Sequence, residues 1–224
     1  MGFLFDYIGK HPLIKEQTPA AKELLAKVGK ADRYDNRDVL RRQSFEVGKG
    51  NDPKAIMVIS AVLVELIYDK DGNVSAPNFY LPGEIVLPIG FPLNCKEDRA
   101  NLILAKKGVV SLVPVSTLKE LYKKYDETKR FLHDSISKSY ERQCTLSHLR
   151  TKKAEECLVW LLKENGRQPH GIYSFPARGI SCAKICGISY EHFYRIRTKL
   201  MNDGVIERIG HNSYLIKQDI TTGE

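Results

Sequence analysis

From residue 40 to about residue 115 the chain alternates short aliphatic and β-branched runs with Gly, Pro, Asn and Asp turns at intervals of about ten residues. That spacing predicts strands. The runs cover residues 55–59, 62–68, 84–89 and 109–115, and Asp71-Gly72 after the second of them is a hairpin signal. A β-sandwich or jelly-roll barrel is the predicted product. Ahead of it, residues 19–28 (PAAKELLAKV) follow Thr18 as a candidate N-cap and carry Pro at the first turn, which predicts a short leading helix.

Past residue 115 the period changes to that of helices. Ser116 or Thr117 is placed to cap LKELYKKY, and Asp126 to cap a long segment, residues 127–149, that contains neither Gly nor Pro. Its apolar positions, Leu132, Ile136, Tyr140, then Leu146 and Leu149 after a polar interruption at Gln143, step by three or four along a narrow seam. Such a seam suits a two-stranded coiled-coil contact between two copies of the chain; a helix packed on its own barrel is the alternative. Residues 151–164 predict a further helix with Ala154, Cys157, Leu158, Leu161 and Leu162 on one face, ending at Asn165-Gly166. Residues 166–179, with Pro169 and Pro176, read as a break.

The last part, residues 180–217, carries three signals in fixed order. Ser181 is placed to cap a short helix over 182–186, Gly187 supplies a tight turn, and Ser189 caps a second helix that reaches Asn202 and stops at Gly204. Two helices joined in this way predict a helix-turn-helix. Residues 205–209 and 213–217 then flank Gly210-His211-Asn212 as a hairpin, and the sum is a winged helix.

Charge sharpens this picture. The chain of 224 residues is 28% charged and 42% hydrophobic, which excludes disordered and collagen-like classes. No apolar run approaches membrane-spanning length and the start lacks a cleavable leader pattern, so a cytoplasmic protein without membrane contact is expected. Five cysteines, an odd number with no CxxC pair, fit a reducing compartment. Of the formal net +8, residues 166–217 hold +5, with eight basic residues against three acids. A polyanion would dock there. On the second helix Phe193, Ile196 and Leu200 form the core stripe, while Tyr190, Glu191, Tyr194, Arg195 and Thr198 lie on other faces. Glu191 and Arg195, one turn apart, suit reading cytosine and guanine, and equally suit an intrahelical ion pair.

The order of parts resembles the Crp/Fnr superfamily of bacterial transcription regulators. The resemblance rests on Cys182-Ala183, Gly187, Ser189 and Glu191 with Arg195, and more loosely on residues 58–72, Tyr80-Leu81-Pro82-Gly83-Glu84 and Arg99-Ala100. It implies an α+β chain with a β-roll or jelly-roll domain (1–125), a dimerisation helix (126–149) and a C-terminal winged helix domain (150–224). It implies base contacts by Glu191 and Arg195 with Tyr190 and Tyr194 beside them, and a phosphate contact by Ser189. Arg197, Lys199, Arg208, His211 and Asn212 are expected to position the domain on double-stranded DNA. A homodimer would bind an inverted repeat with half-sites roughly 34 Å apart.

The sensor half departs from the family's cyclic-nucleotide pattern. Val86-Leu87-Pro88 stands where a Phe-Gly-Glu element is expected, and Arg99 is followed by Ala100. Cyclic-nucleotide dependence is therefore not expected, and an unknown small-molecule effector is left open. No cysteine precedes Cys95, against an iron-sulfur sensor, and residues 12–132 contain no histidine, which leaves haem open with weak support and argues against a cupin-like metalloenzyme. No catalytic residue, metal or cofactor is expected. Cys182 and Cys186 are read as small buried hydrophobes, with Cys144 and Cys157 alike. The alternative functions are an effector-sensing module whose winged helix serves protein contacts and, less favoured for want of histidines, a cupin-like enzyme.

Overall fold

The computed structural model describes residues 11–15, 18–31, 44–45, 53–68, 70–71, 74–88, 90–92, 101–106, 108–165 and 171–220. Helices and antiparallel sheets make an α+β chain of two compact units, Met1–Ile67 with Phe79–Glu141, and Tyr68–Asn78 with Arg142–Glu224. The boundary at residues 141 and 142 falls inside the long helix.

The first unit holds α1 (Pro12–Lys15), α2 (Pro19–Ala31), β1 (Ser44–Phe45), β2 (Lys54–Val58), β3 (Val62–Tyr68), β4 (Val74–Tyr80), β5 (Ile85–Val86), β6 (Asn101–Lys106), β7 (Val110–Pro114) and α3 (Val115–Lys124). The tip of the β3–β4 hairpin, Tyr68–Asn78, groups with the second unit. The strands form two sheets, in the orders β1-β6-β3-β4 and β5-β2-β7. β2 is apolar at successive positions because both of its faces are covered. Ile56 and Val58 pack with Leu63, Tyr80 and Leu102 between the sheets. Ala55 and Met57 pack with Leu24 of α2, Leu118 and Leu121 of α3, and Leu132.

Several helix starts differ from the caps expected of the sequence. Thr18 does cap α2, accepting from the Ala21 amide at 3.2 Å. Ser116 and Thr117 instead lie inside α3, whose N-cap is Pro114, with no side-chain cap bond. β7 runs straight into this helix: Pro114 supplies an extended cap residue, and the Val115 amide donates to the Pro53 carbonyl at 2.8 Å. Extended Tyr125 separates α3 from α4 (Asp126–Leu149) and its carbonyl accepts from the Lys129 amide, so Asp126 is the first helical residue rather than the cap. Its carboxylate takes the Lys129 ammonium at 2.7 Å, which holds the Asp126 carboxyl below its ordinary range.

His11, just ahead of α1, is a buried structural residue. Its Nε2 lies 3.2 Å from the Glu84 carbonyl oxygen, its Nδ1 accepts from the Leu13 amide at 3.3 Å, and its ring meets Phe131 edge-on at 5.5 Å. An accepting Nδ1 and a donating Nε2–H describe a neutral imidazole. Burial pushes its pKa down to about 4.

The second unit continues α4 and adds α5 (Ala154–Glu164), β8 (Ile172–Tyr173), α6 (Gly179–Cys186), α7 (Tyr190–Asn202), β9 (Ile206–Arg208) and β10 (Tyr214–Ile216). Buried Arg142 pairs with Glu164 at 2.9 Å and fastens α4 to the end of α5. α5 begins at Ala154 rather than at residue 151, with Lys153 as cap. α6 begins at Gly179 with Arg178 as cap, so Ser181 lies inside the helix rather than capping it. The segment read as a break supplies β8, which pairs with β10 through Tyr173 and Tyr214, and the sheet order is β8-β10-β9. Phe175 meets Phe193 and Tyr214 edge-on, each at 5.3 Å, and joins α7 to this sheet.

Candidate nucleic-acid interface

The turn between α6 and α7 is built as the sequence demands. Gly187 takes φ 71°, ψ 28°, a left-handed conformation that a side chain resists, and its amide donates to the Lys184 carbonyl. The Ile188 amide returns to the Ala183 carbonyl at 3.0 Å. Ser189 then caps α7, its Oγ accepting from the His192 amide at 3.1 Å. That bond uses an acceptor site of the hydroxyl and leaves its O–H to donate elsewhere.

Packing sorts the faces of α7. Phe193, Ile196 and Leu200 are buried, as their spacing predicts, whereas Tyr190, Glu191, Tyr194 and Arg195 are exposed. Among the described residues no ion pair joins Glu191 to Arg195, so the intrahelical bridge that their spacing allows does not form. The Arg197 guanidinium lies over the Tyr194 ring at 4.9 Å, with its Nε buried and unpartnered. The Thr198 hydroxyl is also buried without a partner.

Other basic side chains in the expected set have intramolecular tasks. Lys199 Nζ lies 2.9 Å from Glu155 Oε1, which ties α7 to α5 and holds the ammonium above its ordinary range. Arg208 Nε donates to the Gly210 carbonyl at 3.0 Å and its Nη2 to that of His211, so this side chain folds the wing tip on itself. Asn212 Nδ2 donates to the Phe175 carbonyl at 3.1 Å and anchors the tip. His211 is exposed. Two exposed basic residues absent from the expected set, Arg178 and Lys184, lie on α6 or at its cap; the charge count included both.

On α4 the seam residues separate. Leu132 and Leu146 are fully buried by their own chain, Gln143 is half-buried, and Ile136 and Tyr140 stand 40% and 67% exposed. Of the cysteines, Cys157, Cys182 and Cys186 are buried, whereas Cys144, expected to be buried, is exposed; Cys95 lies outside the described residues. Burial pushes the Cys182 thiol up to about 12, so it carries no thiolate at neutral pH. Among the described residues no group of three or more His, Cys, Asp or Glu side chains is placed to hold a metal ion. No described helix is long and apolar enough to cross a membrane.

No protein-family model matches the chain, and no curated protein matches it. Solved structures do. FixK2 from Bradyrhizobium japonicum superposes with a TM-score of 0.61 at 19% identity, covering 80% of this chain and 94% of its own. The c-di-GMP-responsive global regulator CLP from Xanthomonas campestris gives 0.58 at 17% identity, covering 89% and 99%. A Crp/Fnr-family transcriptional regulator from Thermus thermophilus gives 0.54 at 17% identity, covering 80% and 90%. The fold is that of the Crp/Fnr regulators. Within the Crp/Fnr fold, the α6–turn–α7 unit and the β9–β10 wing form the helix-turn-helix and hairpin expected of residues 180–217.

Proposed function

We propose that the protein is a sequence-specific DNA-binding transcription regulator, a homodimer that binds an inverted repeat in the cytoplasm and has no catalytic activity. The observation that carries this reading is the outer face of α7. Tyr190, Glu191, Tyr194 and Arg195 stand exposed on a helix whose opposite face is locked into a core, and no ion pair joins the carboxylate to the guanidinium among the described residues. Such a face supplies an acceptor for cytosine N4 and a fork for guanine O6 and N7 in the major groove. The Ser189 O–H and the exposed amide end of α7 suit a backbone phosphate, with Arg197 and His211 adding contacts that position rather than specify. An effector, if one acts, would bind the β-roll and is not cyclic-nucleotide-like. Mobility-shift assays on genomic fragments at physiological salt test the proposal; binding that favours no fragment would reject it in favour of a winged helix that contacts protein.

Lys199 and Arg197 should differ in that assay. Arg197→Gln is expected to flatten the dependence of log affinity on log salt by about one unit, the signature of one lost phosphate contact. Lys199→Gln should leave the slope unchanged, because Glu155 already neutralises that ammonium. Equal flattening by both variants would return Lys199 to the phosphate-contacting set.

For the dimer, Ile136 and Tyr140 are the seam residues that stand exposed. Replacing both by Glu is expected to turn a dimer into a monomer at micromolar concentration, measured by sedimentation velocity, because two carboxylates would then be buried without partners. A variant that sediments like the parent would move the interface elsewhere.

A further inference from the structure

The first residue of α6 is a glycine that its backbone does not require. Its φ lies outside the left-handed region. A Cβ built on Gly179 would stand 2.9 Å from Tyr190 Cε2, closer than real carbons approach, and 3.7 Å from Phe193 Cε1. The Tyr190 ring therefore lies across the bare backbone of Gly179, beside the buried Phe193, while 47% of the tyrosine stays exposed. One part of the ring rests on that backbone and the rest is exposed, at the N-terminal end of α7 next to Glu191.

Resting on the DNA-binding reading above, we propose that Gly179 is a positioning residue that seats Tyr190 so that its ring packs on the C5-methyl group of a thymine, making this tyrosine a third reader beside Glu191 and Arg195. The thymine methyl is the apolar group that a base pair offers in the major groove, and an uncharged aromatic ring packed against its own chain on one part is suited to it. Because Gly179 belongs to α6, the first helix of the motif takes part in specificity through the space it leaves.

Uracil in place of thymine deletes that methyl alone. After selection of a bound site from genomic fragments, each thymine of a half-site is replaced by uracil in turn and affinity is measured for the parent, Tyr190→Phe, Tyr190→Ala and Gly179→Ala. One thymine should stand out, its replacement weakening the parent about fourfold, the worth of one buried methyl-sized group. Tyr190→Phe should keep that preference, and Tyr190→Ala should bind both sites equally. Gly179→Ala should melt no lower than the parent and bind random DNA as the parent does, yet lose the thymine preference, a result that a purely structural glycine would not give. The inference is overturned if the parent tolerates uracil at every position, if Gly179→Ala retains the preference, or if Tyr190→Phe loses it, which would mark a hydroxyl contact. A parent that selects no site at all would overturn the DNA-binding reading itself, whereas selection that depends on Arg195 without any thymine effect would overturn this inference alone.

Discussion

Arg195→Ala is expected to weaken binding to the selected inverted repeat by roughly five- to 150-fold, about 1 to 3 kcal/mol, and to leave binding to random DNA nearly unchanged. The asymmetry follows from where the guanidinium sits. It is exposed on α7, one turn from Glu191 and on a different face from the buried Phe193, Ile196 and Leu200. A fork presented in that way can bond guanine O6 and N7 together, whereas random binding is carried by phosphates. Arg195→Lys should not restore the guanine preference, because an ammonium lacks the planar pair of donors. Binding-site selection with the Ala variant should show relaxed preference at one symmetric pair of positions. An equal loss on cognate and random DNA would instead make Arg195 a phosphate contact.

Acid should destabilise the first unit through His11. The neutral imidazole is bonded at both nitrogens and buried, and its folded pKa of about 4 lies below the ordinary value of 6.5. The folded state thus resists a proton that the unfolded chain accepts. Its contribution is complete above pH 6.5, falls as pH drops toward 4, and is gone below that. Each tenfold difference in proton affinity between the folded and unfolded chains is worth about 1.4 kcal/mol, so the loss is about 3 kcal/mol, a large share of a domain's stability. Urea denaturation of the parent and of His11→Gln, at pH 7 and again near pH 4, isolates the effect from the carboxylates. The Gln variant should lose about 3 kcal/mol less on acidification; parallel curves would show that His11 does not titrate in this window.

How much of this was legible depended on the distance over which each signal acts. Gly187 and Ser189 were readable because a left-handed turn and an N-cap are decided within three or four residues. β3 was readable from a run bounded by turn residues, and its span was placed to the residue. Ser116, Thr117 and Ser181 were misplaced for the converse reason. Good capping residues were present, but Pro114 with the Pro53 carbonyl, and Arg178 with extended geometry, started the helices earlier. β8 was hidden because a two-residue strand has no periodicity of its own and exists only through β10, whose Tyr214 lies 41 residues downstream of its partner Tyr173. Lys199 was illegible in the same way, since its role depends on Glu155. The seam of α4 carried real information but merged two surfaces: Leu132 and Leu146 serve the chain's own cores, and Ile136 with Tyr140 remains outside them.

β8 also bears on how specificity could be moved between proteins of this fold. β10 is the middle strand of its sheet, held on one side by β9 and on the other by β8, and Asn212 at the wing tip reaches back to the Phe175 carbonyl. A graft that exchanged only α7 and the hairpin would strip the wing of its outer strand and its anchor. A segment that keeps the wing's outer strand and its anchor therefore starts no later than Ile172, ahead of the helix-turn-helix, and runs through Ile216.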